Sequence, residues 1–358
     1  MPWASVVKNL IKYANPSEIL TNSARAYTPM IMRLGLKLCV TAFSIWSIFP
    51  QPVSSDDVIR IGIISTTFGY APVFVGKEKG FFKREGLDPE IVVISRNEQI
   101  VQALISDSLQ FGNVPPNLLF VLRQQGSNDI KLIAGSFNGT TYSLIALAKY
   151  KKMEDLKGGT RLAMSGITSA AALMMKQMLK ERGVLYPRDY SLLSIGGSTT
   201  QFTALQSGQV DAALLAQPLS IMAVEQGLSN LGDAYKLMPD YQLSAIGVRE
   251  GWAQKNRGLV VRYLKALVST YRWLHDNRDE AIKLLPRITK LEPKYIAKSW
   301  ETYTQTQIWP RNGEVNLKGV QTVLNLIAEE GMVKKPFPKP EDIVDSSYLE
   351  EARKALPR

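Results

Sequence analysis

The side chains that carry most metal and nucleophile chemistry are almost absent from this sequence. It has one cysteine, Cys39, and one histidine, His275, among 358 residues. These counts nearly exclude zinc sites of Cys and His, Ser-His-Asp and Cys-His nucleophile systems, and haem or iron–sulfur ligation. Of the common catalytic and metal sites, only those built from carboxylate pairs or carboxylate metal ligands remain possible. We expect no catalytic residue, no metal and no organic cofactor, and a structural role for His275.

Hydroxyl groups stand where predicted strands give way to helices. Backbone N–H groups are free at a helix start, and together with hydroxyls they favour an anion or a carbonyl oxygen. Thr168 and Ser169 precede three alanines at 170–172, which are small enough for a ligand to approach the backbone. The alternative is that such residues only cap helices and pack aromatic rings. Candidate binding residues in the first half are Thr66, Thr67, Phe68 and Tyr70 before a helix, Asn113 and Pro115 after a later strand, and Asn138 and Thr140 between the halves.

These candidates depend on strands and helices that alternate along the chain. Residues 58–64 are a β-branched run, and a helix from Ala71 ends at Gly80. A strand at 91–94 leads to a helix that Ser95 and Glu98 would open as a capping box. A further strand near 109–112 completes a βαβαβ unit.

The same order of elements recurs about a hundred residues later. A strand at 161–165 precedes a helix from Ala170 that Gly183 closes, and a strand at 192–195 precedes a second capping box of Ser198 and Gln201. Residues 140–147 would carry the chain into the second unit, and residues 242–248 would bring it back.

Two such units predict an α/β fold of two lobes that face each other across a ligand cleft. We expect the first lobe at 56–140 and 247–358, and the second lobe at 141–246. Helical spacing of apolar residues after Trp252 predicts C-terminal helices that brace the first lobe.

The net charge of +11 does not indicate nucleic-acid binding. The first 55 residues hold five basic residues and one acidic residue, which leaves +7 for the remainder, where both signs are mixed. Nucleic-acid binders concentrate Lys and Arg on one element beside aromatic stacking partners. We therefore expect a solvated surface and no nucleic-acid partner.

The segment at 1–55 has the order of an export signal. An uncharged apolar run at 38–49 follows Arg33 and Lys37, and it is short for a bilayer span, which needs about 20 residues. We expect a signal peptide at 1–55 with cleavage before Asp56, a translation start at Met30 or Met32, and a periplasmic protein. An uncleaved membrane anchor is the alternative.

Two segments resemble a known family. Residues 80–90 (GFFKREGLDPE) and 204–214 (ALQSGQVDAAL) resemble the extracytoplasmic substrate-binding proteins of ABC importers, in the group for nitrate, sulfonates, taurine and thiamine-pyrimidine precursors. The resemblance covers about residues 58–350 and implies the type II periplasmic binding protein fold. In one departure, Asp107 and Gln110 stand where the family usually has Gly and Asp. Asp tolerates a left-handed turn better than most residues, so the fold should survive.

The resemblance implies a monomer that closes two lobes on a small solute and delivers it to a membrane permease with its cytoplasmic ATPase. It also makes Gln217 a ligand contact. The candidate set has no clear charge, so it suits a neutral or weakly anionic solute as well as sulfonate, nitrate, taurine or a pyrimidine. A tethered sensing module for a signalling partner stays open. An enzyme resembling the fungal thiamine-pyrimidine synthases is disfavoured, because those consume a histidine and need a cysteine-rich motif.

Overall fold

The computed structural model of the protein describes residues 56–127 and 129–357. The predicted signal segment, with its start and cleavage sites, lies outside the described residues. None of the helices within these two ranges combines the length and the apolar character that crossing a membrane requires.

The first lobe is built on a sheet of five strands. They are β1 (Asp57–Ile63), β2 (Leu87–Val93), β3 (Phe111–Val114), β4 (Ile130–Phe137) and β10 (Ser244–Arg249). Their order is β2-β1-β3-β10-β4. β1 is parallel to β2 and β3, whereas β10 is antiparallel to both β3 and β4.

The second lobe repeats this arrangement with strands from the middle of the chain. They are β5 (Ser143–Ala146), β6 (Thr160–Met164), β7 (Tyr190–Ser194), β8 (Ala212–Leu215) and β9 (Ser229–Asp233). Their order is β7-β6-β8-β5-β9, with β6 parallel to β7 and β8, and β5 antiparallel to β8 and β9. The α/β fold of two βαβαβ lobes is thereby confirmed. β10 begins at Ser244, inside the predicted return segment at 242–248.

Helices cover both sheets. Those of the first lobe before the crossover are α1 (Ala71–Glu78), α2 (Phe81–Arg84), α3 (Asn97–Ile105) and α4 (Pro116–Gln124). Those of the second lobe are α5 (Ala170–Lys180), α6 (Ser198–Gln206), α7 (Leu219–Glu225) and α8 (Ala234–Leu237). Gly80 and Gly183 have positive φ angles of 70° and 69° just after α1 and α5, as expected for glycines that end helices.

The C-terminal part is helical and packs mainly on the first lobe. Its helices are α9 (Glu250–Lys255), α10 (Arg257–Asp276), α11 (Arg278–Thr289), α12 (Pro293–Gln305), α13 (Leu317–Glu329) and α14 (Ser347–Lys354). Residues of α10, α11, α12 and α14 share one apolar core with β1 and α1. α13 differs, because its Val320 and Leu324 pack in the first lobe whereas its Val323 and Leu326 join the core of the second. This helix therefore touches both lobes.

The two lobes also share a turn that ties a helix to the next strand. In the second lobe Gly208 has a φ of 71°, and Asp211 accepts a hydrogen bond from the amide of Arg161 at 2.9 Å. In the first lobe Asp107 has a φ of 57°, and Gln110 accepts from the amide of Arg60 at 2.8 Å. Asp107 and Gln110 thus preserve the turn, as predicted.

Both predicted capping boxes are wrong. α3 begins one residue later than a Ser95 cap requires, with Arg96 at its N-cap, and α6 begins at Ser198 itself, with Gly197 at its N-cap. Gln201 donates instead to the carbonyl of Gly196 at 2.6 Å. At the start of α6, a bond between Gln201 and the loop backbone thus replaces the expected bond to a serine hydroxyl.

Candidate functional site

The two lobes meet where the chain passes between them. In the first sheet β10 starts at Ser244 beside Phe137, the last residue of β4, and Ala245 pairs with Val114 at the end of β3. In the second sheet β5 starts at Ser143, opposite Leu215 at the end of β8. We call these two ends the crossover edges. Because β1 and β6 run parallel to β3 and β8, the loops that follow all four strands gather at the crossover edges.

In the first lobe, the loop after β1 divides its residues between the surface and the core. Thr66 and Thr67 are exposed. Phe68 is fully buried, and its ring stacks on Trp309 with centroids 5.3 Å apart. Tyr70 is half-buried and meets Phe137 edge-on at 5.0 Å. The side chain of Phe68 therefore supports the loop from inside, Thr66 and Thr67 face outward, and Tyr70 lies at the boundary between core and surface.

Asn113, on β3, is 5% exposed and points into the interior of the first lobe. Its amide oxygen is paired with the hydroxyl of Ser136 and lies 3.4 Å from that of Ser244. It lines a cavity of about 20 Å³ under Tyr70, the size of one water molecule. Pro115, which precedes α4, is also buried. Both residues shape the sheet edge from within.

Asn138 and Thr140 are engaged in holding the crossover. The amide nitrogen of Asn138 donates to the carbonyl of Glu314, and its amide lies directly over Gly135, where no Cβ would fit. Thr140 is fully buried, and its hydroxyl accepts from the amide of Tyr142 at 3.1 Å. These side chains fix the path of the chain between the lobes.

The second lobe presents two helix starts. Ser169 is the N-cap of α5 and accepts from the amide of Ala172 at 3.2 Å, and Thr168 beside it is exposed. Gln217 is half-buried, and its side-chain oxygen is buried without a hydrogen-bond partner. A buried acceptor without a donor is costly, so Gln217 is a place where a ligand donor would be favourable.

Sequence reasoning missed an aromatic group at the crossover. Tyr142 is half-buried, and Tyr303 of α12 accepts from the hydroxyl of Thr141 at 3.1 Å. Burial raises the pKa of Tyr142. Burial also raises the pKa of Tyr70, and the phenols of Tyr142 and Tyr303 raise it further. The rings of Tyr70 and Tyr303 both meet Phe137 edge-on, with centroids 5.0 and 6.4 Å from its own. The sequence feature that could have indicated this group is Tyr142, because it lies inside the segment 140–147 that was predicted to cross between the lobes.

The hydroxyls of Tyr70 and Tyr142 have no side-chain or backbone hydrogen-bond partner within residues 56–127 and 129–357. With their raised pKa values both phenols stay protonated at neutral pH, so each can donate or accept. Asn117, at the start of α4, and Asn138 each add a buried amide oxygen without a partner among the described residues. These polar groups are hydroxyls and amides.

Metal chemistry finds no support in the part of the chain that the structure describes. No group of three or more His, Cys, Asp or Glu side chains there could hold a metal ion. His275, at the end of α10, bonds the carbonyl of Trp309 at 2.8 Å, and burial lowers its pKa. This contact gives His275 a place in the packing of the first lobe.

Comparison with known proteins identifies the family. The sequence model described as NMT1/THI5 like matches residues 67–281, which is more than half of the chain. The chain belongs to this family. The resemblance to substrate-binding proteins that the segments at 80–90 and 204–214 indicated is thereby confirmed.

Relatives of this NMT1/THI5-like protein match it over more than four fifths of its length. A protein of Brucella abortus, named for binding with no ligand specified, is 25% identical over 311 residues, covering 84% of this chain and 94% of its own. The periplasmic nitrate-binding protein NrtA from Synechocystis superposes with a TM-score of 0.71 at 17% identity, covering 84% and 89%. The ligand-binding component of an ABC-type import system from Staphylococcus aureus gives 0.67 at 16% identity, covering 83% and 99%. These structures establish the shared fold.

Proposed function

We propose that this protein is the extracytoplasmic solute-binding component of an ABC importer, acting as a monomer without catalysis. It would close its lobes on a small solute and deliver that solute to a membrane permease driven by a cytoplasmic ATPase. Membership of the family and the fold shared with import components support the proposal. The arrangement of loops at the crossover edges supports it independently, since a ligand there would touch both lobes.

The proposed site takes three residues from each lobe and one from the crossover. Thr66, Thr67 and Tyr70 would act from the first lobe, Thr168, Ser169 and Gln217 from the second, and Tyr142 from between them. Phe68, Asn113, Pro115, Asn138 and Thr140 would hold these residues in place. The observation that carries the proposal is that the buried amide oxygens of Asn117, Asn138 and Gln217 at these edges have no hydrogen-bond partner among the described residues.

The solute we propose is neutral and planar, of the size of a pyrimidine. Tyrosine rings favour flat ligands, which they contact by stacking or by an edge, and Tyr70 is already braced edge-on by Phe137. None of the proposed contact residues carries a charge. A small inorganic anion would depend on the helix starts alone for compensation of its charge.

A thermal-shift series on the purified protein tests both parts of the proposal. The panel contains uracil, cytosine, nitrate, bicarbonate, taurine and an alkanesulfonate. A compound at about 100 times its dissociation constant stabilises by roughly 2.7 kcal/mol. We expect a shift with a pyrimidine that Tyr142→Phe reduces and that Tyr186→Phe, at an exposed site in the second lobe, leaves unchanged. Stabilisation by the anions alone would overturn the neutral solute, and silence across the panel would count against solute binding of these classes.

A further inference from the structure

A contact away from the crossovers also joins the two lobes. Glu225, the last residue of α7, receives three donors from the first two turns of α12. The hydroxyl of Tyr295 lies 2.8 Å and Nζ of Lys294 lies 3.1 Å from Glu225 Oε2, and Nζ of Lys298 lies 3.2 Å from Oε1. These donors hold the pKa of Glu225 at about 2, so the carboxylate is charged at any physiological pH.

The two sides of this contact belong to different lobes. α7 packs against β5, β9 and α6 of the second lobe. α12 sends Ile296, Trp300 and Tyr303 into the core of the first lobe. The Glu225 contact therefore joins an element of the second lobe to an element of the first. Any relative movement of these two elements must bend or rotate the crossovers and α13.

We infer that Glu225 and the start of α12 form a latch that stabilises the closed arrangement of the lobes. The inference rests on the proposed function, because a latch between lobes matters only in a protein whose lobes move on binding. Glu225 is then a positioning residue: it touches no solute, and it acts by keeping the solute contacts of both lobes together.

The latch is mechanically joined to the proposed site at both ends. α7 starts directly after Gln217 and Pro218, so Glu225 and a proposed ligand contact lie on one short rigid segment. On α12 the latch residue Lys294 precedes Tyr303 by nine positions, or about 13.5 Å of helix. Tyr303 bonds Thr141 at the crossover. A small rotation of one lobe about the crossover therefore produces a larger displacement at Glu225. This displacement separates the carboxylate of Glu225 from its donors on α12.

The chemistry of the contact suits reversible closure. Side chains of Glu225, Lys294 and Lys298 are 36%, 54% and 57% exposed, so water can replace each partner when the lobes part. The link through α13 differs in having a buried apolar part, since its Val323 and Leu326 lie in the core of the second lobe, beside the ion pairs Lys176–Glu330 and Lys180–Glu329. Apolar burial resists separation in water. We therefore assign the pivot to α13 and the crossovers, and the opening to the Glu225 side.

Spin-label distances test the latch without any solute. Labels are placed in the full chain at Lys283→Cys on α11 and Thr203→Cys on α6, with Cys39→Ser to remove the native thiol. Both label sites are exposed, one on each lobe. The variants are Glu225→Gln and Tyr295→Phe, with Glu181→Gln, an exposed glutamate on the second lobe that contacts only Gln177, as the matched control.

We expect Glu225→Gln to raise the ratio of long to short distances about tenfold, which corresponds to losing a hydrogen bond to a charged group. Tyr295→Phe should give a smaller change in the same direction, and Glu181→Gln none. Raising NaCl from about 20 mM to about 500 mM should lengthen the wild-type distances and leave those of Glu225→Gln unchanged. Distances in both variants that equal wild type, or that shorten, would overturn the latch. Failure of every compound in the thermal-shift panel would count against the proposed function and leave this result standing.

Discussion

Replacing Asp211 with alanine should destabilise the second lobe selectively. Its carboxylate accepts from the amide of Arg161 at 2.9 Å and from the hydroxyl of Tyr150 at 3.0 Å, and the residue is 8% exposed. Leaving a buried amide without an acceptor costs about 1–3 kcal/mol, and the lost phenol bond adds up to about 1 kcal/mol. We expect a loss of about 1–4 kcal/mol, or up to roughly 10 °C in melting temperature.

The distribution of tryptophans makes the location of this loss measurable. The tryptophans of the described residues, at positions 252, 273, 300 and 309, belong to the first lobe or its helices. Far-ultraviolet circular dichroism reports both lobes. If the lobes melt separately, Asp211→Ala should lower the melting temperature of a transition seen by circular dichroism. The transition seen by tryptophan fluorescence should keep its melting temperature. Gln110→Ala, at the equivalent turn of the first lobe, is the control and should cost about 1 kcal/mol, since its two side-chain hydrogen bonds are exposed.

The pH dependence gives a second check on the same residue. Burial alone would raise the pKa of Asp211, but the amide of Arg161 and the hydroxyl of Tyr150 outweigh it and lower the pKa. Its stabilisation is therefore complete above the unfolded pKa of about 3.9 and is lost as the pH falls through the lower folded value. Asp211→Ala should lose less stability than wild type between about pH 5 and pH 2. Equal melting temperatures for wild type and Asp211→Ala at pH 7 would refute the reasoning.

Three further outcomes are expected from thermal unfolding. Ser169→Ala removes the N-cap of α5 and should cost about 1 kcal/mol, whereas Ser169→Asn should retain most of the stability. Gly69→Ala would place its Cβ 2.3 Å from the ring of Phe137 and should cost about 1–3 kcal/mol; an unchanged melting temperature would contradict that packing. His275→Gln should make the free energy of unfolding less dependent on pH between about pH 7.5 and pH 5. Burial holds the folded pKa of His275 below its unfolded value, so the wild type loses stability as the pH falls.

Local patterns carried most of the fold. The β-branched run at 58–64 and the predicted strand at 161–165 became β1 and β6, and the glycines at 80 and 183 end helices as expected. The recurrence of the same elements predicted two lobes, since each unit must cover its own sheet. The capping boxes failed because a serine before a helix can be replaced by backbone geometry, and nothing in the local sequence distinguishes the two.

The candidate site was harder to predict because exposure depends on tertiary packing. Thr66 and Phe68 are two positions apart, yet one is at the surface and the other is buried against Trp309. Trp309 is far along the chain, so no local pattern could separate them. Asn138 and Tyr142 show the same effect, since the amide nitrogen of Asn138 is held by the carbonyl of Glu314, while the phenol of Tyr142 is only half-buried.

The sequence could have predicted that α13 packs against both lobes. Its buried residues form two apolar stripes, one with Val320 and Leu324 and the other with Val323 and Leu326. A helix that braces one surface needs a single stripe. Two stripes indicate two partners, which the assignment of the C-terminal helices to the first lobe overlooked.

The position of β10 in the first sheet has a consequence for synthesis. This strand lies between β3 and β4, but the ribosome makes it after every strand of the second lobe. All strands of the second sheet emerge as one continuous stretch, 143–233, so that sheet can assemble while the first still has a gap between β3 and β4. We expect the inserted lobe to mature first during chain elongation, and the surrounding lobe to complete itself only when Ser244–Arg249 arrives.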